Sequence, residues 1–114
     1  MILENKACVY ALRHNITGRV YVGCSRNVER RINEHLKLLE FGKHTVDLMQ
    51  DDYDKYGKNY SYFILFEAYA SYDAFMMEKN FMSLLDTRNP QKGYNYKDWS
   101  NNFSLDCFKE HIVV

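Results

Sequence analysis

One carboxylate stands among apolar residues in the second half of the chain. Glu78 lies four residues after Ala74 and three before Phe81, where apolar residues recur at helical spacing. A carboxylate on an apolar helix face is costly unless a cation or hydrogen-bond donors meet it. Periodicity leaves two interpretations, a boundary residue paired with a lysine or a helix end, and a metal ligand or general base.

An arginine occupies a comparable position in an earlier stretch. Arg31 lies three residues after Val28 and four before His35, at the edge of another apolar stripe. Its planar guanidinium suits either an ion pair with Glu78 or a phosphate, although a single arginine at such an edge is more often structural. His35 and His44 are by themselves ordinary surface or core-edge histidines, and no HxxxH pair indicates a histidine-rich metal site.

Two tyrosines lie on neighbouring predicted strands. Residues 7–13 and 19–23 have strand composition with turn residues between them, which predicts an antiparallel hairpin. An even-length loop pairs residues whose numbers sum to an odd number, so that Tyr10 shares a sheet face with Tyr21 and Gly23. An odd-length loop places the two tyrosines on opposite faces.

The remaining stretches predict three helices and a third strand. The helices are expected from a cap at Ser25 or Asn27 to about Phe41, at residues 45–56 and from Ser71 or Asp73 to about Leu85, with the strand at residues 60–67. The order β-β-α-α-β-α favours an α+β fold, a small three-stranded antiparallel sheet flanked by three helices. We expect one domain at residues 1–97 and a C-terminal tail at residues 98–114, with a short helix from Ser104, packed on the domain or extending from it.

Charge is balanced overall but unevenly distributed. The 114 residues carry a formal net charge of zero, which argues against a tight, generic nucleic-acid binder. Residues 1–43 nevertheless carry eight basic and four acidic side chains, and residues 44–114 carry seven and eleven. The first third of the chain could therefore present a positive face.

Other sequence features narrow the setting. The three cysteines form no CxxC pair, so a zinc ribbon is not predicted. No leader-like segment follows Met1, and no apolar run approaches the roughly 20 residues that span a bilayer. We expect a cytoplasmic protein without a membrane partner. The sequence is rich in asparagine, lysine and tyrosine, which is typical of an AT-rich genome such as a phage's. For a phage protein, the expected location is the cytoplasm of the host cell.

Five sequence elements follow one another in a recognisable order. The first is a pair of motifs separated by ten residues. The elements are Cys8-Val9-Tyr10 with Tyr21-Val22-Gly23, the helix Asn27 to His35, the loop Leu39 to His44, the helix segment Glu78 to Met82, and the closing segment Asp86-Thr87, Pro90 and Gly93-Tyr94-Asn95. In this order and spacing they resemble the GIY-YIG nuclease family, in particular the catalytic domain of phage-type homing endonucleases. The match covers about residues 7–97, and it departs from the family in Cys8, which replaces the first glycine, and in the neutral charge.

The resemblance implies a metal-dependent endonuclease that hydrolyses DNA phosphodiester bonds with one metal ion. Glu78 would bind Mg²⁺, for which Mn²⁺ could substitute, and Arg31 would hold a non-bridging phosphate oxygen. Tyr21 would orient or deprotonate the attacking water, with Tyr10 positioning that tyrosine or the phosphate. An ordinary tyrosine has a pKa near 10, so the cation or the arginine must lie close by.

The resemblance implies supporting roles for five further residues. His44 would assist proton transfer, Asn95 would fix the closing segment, and Gly23 would leave room for backbone and helix to approach. Arg30 and His35 are expected on the substrate side. The expected substrate is duplex DNA, bound by the chain alone, by a homodimer or with a DNA-binding partner subunit. The alternatives are a catalytically idle module of this fold that binds nucleic acid or a protein, and a structural protein whose tyrosines and Glu78 satisfy a core.

Overall fold

The computed structural model describes residues 6–97, and the predicted tail with its helix from Ser104 lies outside them. The described part contains three strands, three α-helices and a final 3₁₀ turn. In chain order these are β1 (Ala7–His14), β2 (Val20–Ser25), α1 (Val28–Glu40), α2 (Asp47–Tyr56), β3 (Tyr60–Ala68), α3 (Ser71–Leu85) and the turn Asn95–Lys97. The predicted order and the α+β class are confirmed.

Helix ends follow the local chemistry of the sequence. Of the two candidates for the start of α1, Asn27 is the cap, because its side-chain oxygen accepts the backbone N–H of Arg30 at 3.1 Å. The other candidate, Ser25, accepts the N–H of Asn27 at 2.9 Å and orients the cap. α3 begins at Ser71, the first of its two predicted starting residues, and its N-cap residue is Ala70. No helix of residues 6–97 is both long and apolar enough to cross a membrane.

The hairpin register places both tyrosines on one face of the sheet. The strand order is β2-β1-β3 with both pairs antiparallel, and Tyr10 pairs with Gly23 while Leu12 pairs with Tyr21. The residue numbers of each pair sum to an odd number, so the hairpin adopts the register that was predicted for an even-length loop. We call the surface that carries Tyr10, Leu12, Tyr21 and Gly23 the tyrosine face.

Two separate apolar clusters cover the two faces. On the tyrosine face, buried residues of α1 and α2 pack on Tyr10 and Leu12, namely Ile32, Leu39, Val46 and Met49, together with Tyr94 of the closing segment. On the opposite face, Ala74 and Met82 of α3 pack on Ala7, Val9, Val22 and Cys24. The sheet therefore separates α3 from α1 and α2.

Candidate active site

Gly23 makes space for the phenol of Tyr10. A Cβ atom at position 23 would lie 2.5 Å from Oη and 2.6 Å from Cζ of Tyr10. Carbon atoms in contact normally stay about 3.5 to 4.0 Å apart, so a side chain there would push the tyrosine away. Tyr10 itself is completely buried. The expected reason for this glycine was close approach of backbone and helix, and the structure instead gives its cross-strand partner.

Tyr10 begins a chain of buried polar groups that crosses from β1 to α1 and the following loop. Its Oη atom lies 3.0 Å from Nε2 of His35, and Nδ1 of His35 lies 2.9 Å from Nε2 of His44. Nδ1 of His44 in turn accepts the backbone N–H of Val46 at 3.0 Å. Both ring nitrogens of His44 are therefore engaged within the protein. Sequence reasoning predicted surface or core-edge positions for both histidines, whereas both are buried.

Burial keeps the two histidines uncharged. Burial is the largest cause that lowers the pKa of His44, to about 4, and the positive charge of Arg31 lowers it further. The pKa of His35 falls well below its usual value for the same reasons, in the same order, with a smaller effect from His44. Near neutral pH the pair therefore consists of two neutral imidazoles.

A cavity opens on the tyrosine face, beside the hydrogen-bonded side chains of Tyr10, His35 and His44. It has a volume of about 210 Å³ and is lined by Tyr21, Arg31, His35, Leu38, His44, Thr45 and Val46. The ring of Tyr21 lies 6.3 Å from that of Tyr10 and 4.9 Å from that of His35, measured between centroids. The structure thus brings together five of the predicted site residues, Tyr10, Tyr21, Arg31, His35 and His44.

The two arginines of α1 differ in their surroundings. Arg31 is mostly buried, with 20% of its side chain exposed, and its Nη1 donates to Oε1 of Glu34 at 3.0 Å. Arg30 is exposed and forms a surface ion pair with the same carboxylate, at 2.6 Å. Arg31 lines the cavity and Arg30 does not. A phosphate in the cavity would therefore meet Arg31 first.

Glu78 is carried by α3, which packs on the face of the sheet opposite the tyrosines. It exposes only 1% of its surface, and on α3 it stands between Ala74 and Met82, which pack on the face opposite the tyrosines. It is not among the residues that line the cavity. Joint action of Glu78 and Arg31 on one phosphate therefore stays a prediction.

The edge of the sheet next to the cavity is β2, and the closing segment covers part of it. The carboxamide of Asn95 bonds both backbone groups of Val22, accepting its N–H at 2.8 Å and donating to its carbonyl at 3.0 Å. Tyr94 donates its N–H to the carbonyl of Val20 at 2.9 Å. Asn95 is completely buried and holds the closing segment, as expected.

Two sets of polar contacts, which were not predicted from the sequence, connect the elements around the site. Arg26, directly after β2, donates to Oγ of Ser71 at 2.9 Å and to the carbonyl of Tyr69 at 2.8 Å, tying the end of β2 to the start of α3. Asp52 of α2 is buried and accepts from Arg19 at 3.0 Å and from Oη of Tyr94 at 2.6 Å. Nothing in their spacing sets Arg26 and Asp52 apart from other surface charges.

The donor chemistry of Glu78 is compatible with the expected metal. Among residues 6–97 no group of three or more histidine, cysteine or acidic side chains is placed to bind an ion. Mg²⁺ binds through one or two carboxylates and completes its shell with phosphate oxygens and waters. The buried side chain of Glu78 supplies one carboxylate.

The chain matches a known family of catalytic domains over most of its length. The GIY-YIG catalytic domain matches residues 6–105 of the chain, which therefore belongs to the GIY-YIG family. A curated relative is intron-associated endonuclease 1 of Enterobacteria phage T4, 28% identical over 110 residues that cover 95% of this chain and 44% of the relative. The chain thus spans less than half the length of that curated relative.

Two solved structures share the fold. A mutant form of the catalytic domain of intron endonuclease I-TevI aligns with a TM-score of 0.73 and 27% identity, over 83% of this chain and 97% of that one. A second structure of the catalytic domain of the homing endonuclease I-TevI aligns with a TM-score of 0.69 and 27% identity, over 78% and 96% of the two chains. These alignments confirm the expected fold and the expected likeness to homing endonucleases.

Proposed function

We propose that the chain is a metal-dependent endonuclease that hydrolyses phosphodiester bonds of DNA by a one-metal mechanism. The observation that carries the proposal is the cavity on the tyrosine face, where Tyr21, Arg31 and His35 meet beside the buried phenol of Tyr10. Family membership supports nuclease activity. Metal dependence, the duplex substrate and the roles below are our inference from the chemistry of the residues.

Arg31 is the proposed phosphate ligand. Its guanidinium lines the cavity and can bind a non-bridging oxygen of the scissile phosphate with its planar array of N–H groups. The charge that develops on the phosphate in the transition state strengthens this contact, which is how such a group accelerates the reaction. The bond to Glu34 holds the arginine side chain near this position in the meantime.

Tyr21 is the proposed residue that orients or deprotonates the attacking water. It is the tyrosine that borders the cavity, whereas Tyr10 is completely buried beneath it. The hydroxyl of Tyr10 then supports the reacting groups through hydrogen bonding. His44 cannot act as a proton shuttle to substrate without giving up one of its two internal hydrogen bonds, so its expected part in proton transfer becomes an indirect one.

Glu78 is the proposed ligand of Mg²⁺, with Mn²⁺ as a substitute, and the phosphate and waters complete the shell. When bound, such an ion supplies Lewis-acid stabilisation of the phosphate and of the leaving oxygen. A phosphodiester that contacts both Arg31 and Glu78 would then join the two halves of the site.

The net charge of the chain bears on how tightly it binds DNA. A chain with a net charge of zero has no surplus of positive charge to hold DNA, so we expect weak association with duplex DNA. The contacts that do form join basic side chains to phosphates, so this association should weaken strongly as the salt concentration rises. A homodimer or a DNA-binding partner subunit would supply the missing contacts, in the cytoplasm of the cell or of a phage host.

Nicking of supercoiled plasmid tests the proposal. The wild-type chain is incubated with Mg²⁺ or with EDTA, beside Glu78→Gln and Arg31→Ala. The matched controls are Glu67→Gln, which removes a carboxylate from a surface ion pair, and Arg13→Ala, which removes an exposed arginine. We expect nicking only with metal, a loss of roughly 100-fold or more in the two site variants, and near wild-type rates in the controls.

Each part of the proposal has its own contradicting result. Cleavage that survives Glu78→Gln removes the proposed metal ligand, and cleavage that persists in EDTA removes the metal. Absence of cleavage of every DNA form, by a chain shown to be folded, would favour the alternative of a binding module that keeps the fold without the reaction.

A further inference from the structure

The polar chain beneath the cavity has a fixed direction. A backbone N–H can only donate, so the 3.0 Å contact from Val46 makes Nδ1 of His44 an acceptor. A neutral imidazole carries one proton, which must then lie on Nε2 of His44. This proton points at Nδ1 of His35, 2.9 Å away. The loop backbone therefore sets the tautomer of the first histidine.

The tautomer of His35 is fixed in the same way. Because Nδ1 of His35 accepts from His44, the proton of His35 lies on Nε2, which faces Oη of Tyr10 at 3.0 Å. The phenol oxygen of Tyr10 accepts this hydrogen bond. A phenol has only one proton, and in this arrangement that proton is directed away from His35. The planes of the two imidazole rings lie within 19° of parallel with their centroids 5.2 Å apart, which agrees with an N–H···N bond in the ring plane.

Protonation of either histidine would disrupt this direction of the hydrogen bonds. Protonation of His44 would place an N–H on Nδ1, opposite the N–H of Val46, so that two donors would face each other. Among the described residues, the titratable or charged groups that face the pair are Tyr10 from β1, Tyr21 from β2 and Arg31 from α1. Arg31 opposes a second positive charge, in agreement with the lowered pKa values of both histidines.

We propose that His44 is a positioning residue that acts through His35: the two histidines hold the Tyr10 hydroxyl as the acceptor of the His35 N–H and so fix the orientation of the phenol that packs beside Tyr21. Tyr10 is then a positioning group and not the base of the reaction, while Tyr21 remains the residue next to the water. The direction of the chain follows from the hydrogen bonds alone, and its use in cleavage rests on the proposed function.

Nitrogen NMR of the full chain tests the direction without any enzyme assay. With ¹⁵N-labelled histidine, we expect His35 and His44 both to be neutral and protonated on Nε2 at pH 7. His14 is an internal reference, since its Nδ1 accepts the N–H groups of Ile16 and Thr17 and its tautomer does not depend on the chain of site histidines. A proton on Nδ1 of either site histidine, or a charged ring at pH 7, would overturn the proposal.

Kinetics test the action through Tyr10. Partners that orient a functional histidine typically contribute roughly 10- to 100-fold, so His44→Gln should slow single-turnover cleavage by about that factor without weakening DNA binding. In a Tyr10→Phe background the same substitution should have no further effect, because the hydroxyl through which His44 acts is gone. Equal effects in both backgrounds would overturn the positioning role. A wild-type chain with the expected tautomers but no cleavage would contradict the proposed nuclease and support the network.

Discussion

Gly23→Ala isolates the contact that joins the two tyrosine motifs. The new methyl group would lie 2.5 Å from Oη and 2.6 Å from Cζ of Tyr10, about 1 Å closer than carbon contacts allow. Tyr10 is completely buried, so its ring cannot move into solvent without opening the cluster formed with α1 and α2. The substitution must therefore displace a packed ring or bend β2.

The magnitude follows from two contributions. Overpacking of a close-packed interior typically costs about 1–3 kcal/mol. Displacement of Tyr10 also breaks its 3.0 Å bond to His35 and leaves a buried imidazole N–H unsatisfied, which costs about 1–3 kcal/mol. We expect Gly23→Ala to lower the free energy of unfolding by about 3 kcal/mol, with partial relaxation of the strand reducing the sum.

Denaturant unfolding of four chains measures this coupling. The chains are the wild type, Gly23→Ala, Tyr10→Leu and the double variant, since leucine lacks the Oη and Cζ atoms that the methyl group meets. We expect Gly23→Ala to cost less than about 1 kcal/mol in the Tyr10→Leu background, which gives a large interaction energy in the cycle. Gly18→Ala is the control, because Gly18 has φ +79° and no atom within 4 Å. It should cost about 1–2 kcal/mol of backbone strain in both backgrounds.

Two results would refute this reasoning. The first is an equal cost of Gly23→Ala with and without the tyrosine ring, which would mean that the glycine serves the backbone and not its partner. The second is a cost no greater than that of Gly18→Ala in the wild-type background. Either result would mean that close approach of the Tyr10 phenol is not why the second motif has a glycine.

Three further predictions concern the frame of the site. The pKa of His44 is about 4 in the folded chain and near 6.5 when unfolded, so the unfolded chain binds more protons between these values. Stability should thus fall by up to about 3 kcal/mol as pH drops from 6.5 to 4, and His44→Gln should flatten that slope in denaturant titrations. Asn95→Ala should cost about 2–4 kcal/mol in the same assay because both backbone groups of Val22 lose their partner, and a cost below 1 would contradict the contact. Asp52→Asn should cost about 2–3 kcal/mol of stability. This is less than the loss of a fully buried ion pair, because Arg19 keeps 24% of its side chain in solvent. Adding Arg19→Gln to Asp52→Asn should restore part of the lost stability, because the unpaired charge is then removed.

Much of the fold could be predicted because its signals are local. Strand composition, turn residues and helical spacing located all six main elements, and the parity rule reduced the position of Tyr10 and Tyr21 to two registers. The start of α3 at Ser71 was one of two predicted starts, although its N-cap residue Ala70 makes no side-chain cap bond. Capping residues are preferences, and tertiary packing can place a helix start without one.

The site was harder to predict because its contacts are between distant parts of the chain. Nothing local distinguishes a buried His35 from an exposed one, and its partners Tyr10 and His44 come from β1 and from a loop. The position of Glu78 could not be predicted either, because helical periodicity shows that α3 has a buried stripe but not which face of the sheet that stripe covers.

Single-turnover cleavage of a duplex oligonucleotide by wild type and Tyr21→Phe tests the central claim, that the cavity on the tyrosine face is where the phosphodiester bond is broken. The substitution removes only one hydroxyl from the cavity lining, and proton transfer of this kind contributes roughly 100- to 10,000-fold. We expect a loss of at least roughly 100-fold in rate with unchanged DNA affinity and stability. A rate within about threefold of wild type, far inside the range for such a group, would place the reaction elsewhere on the molecule.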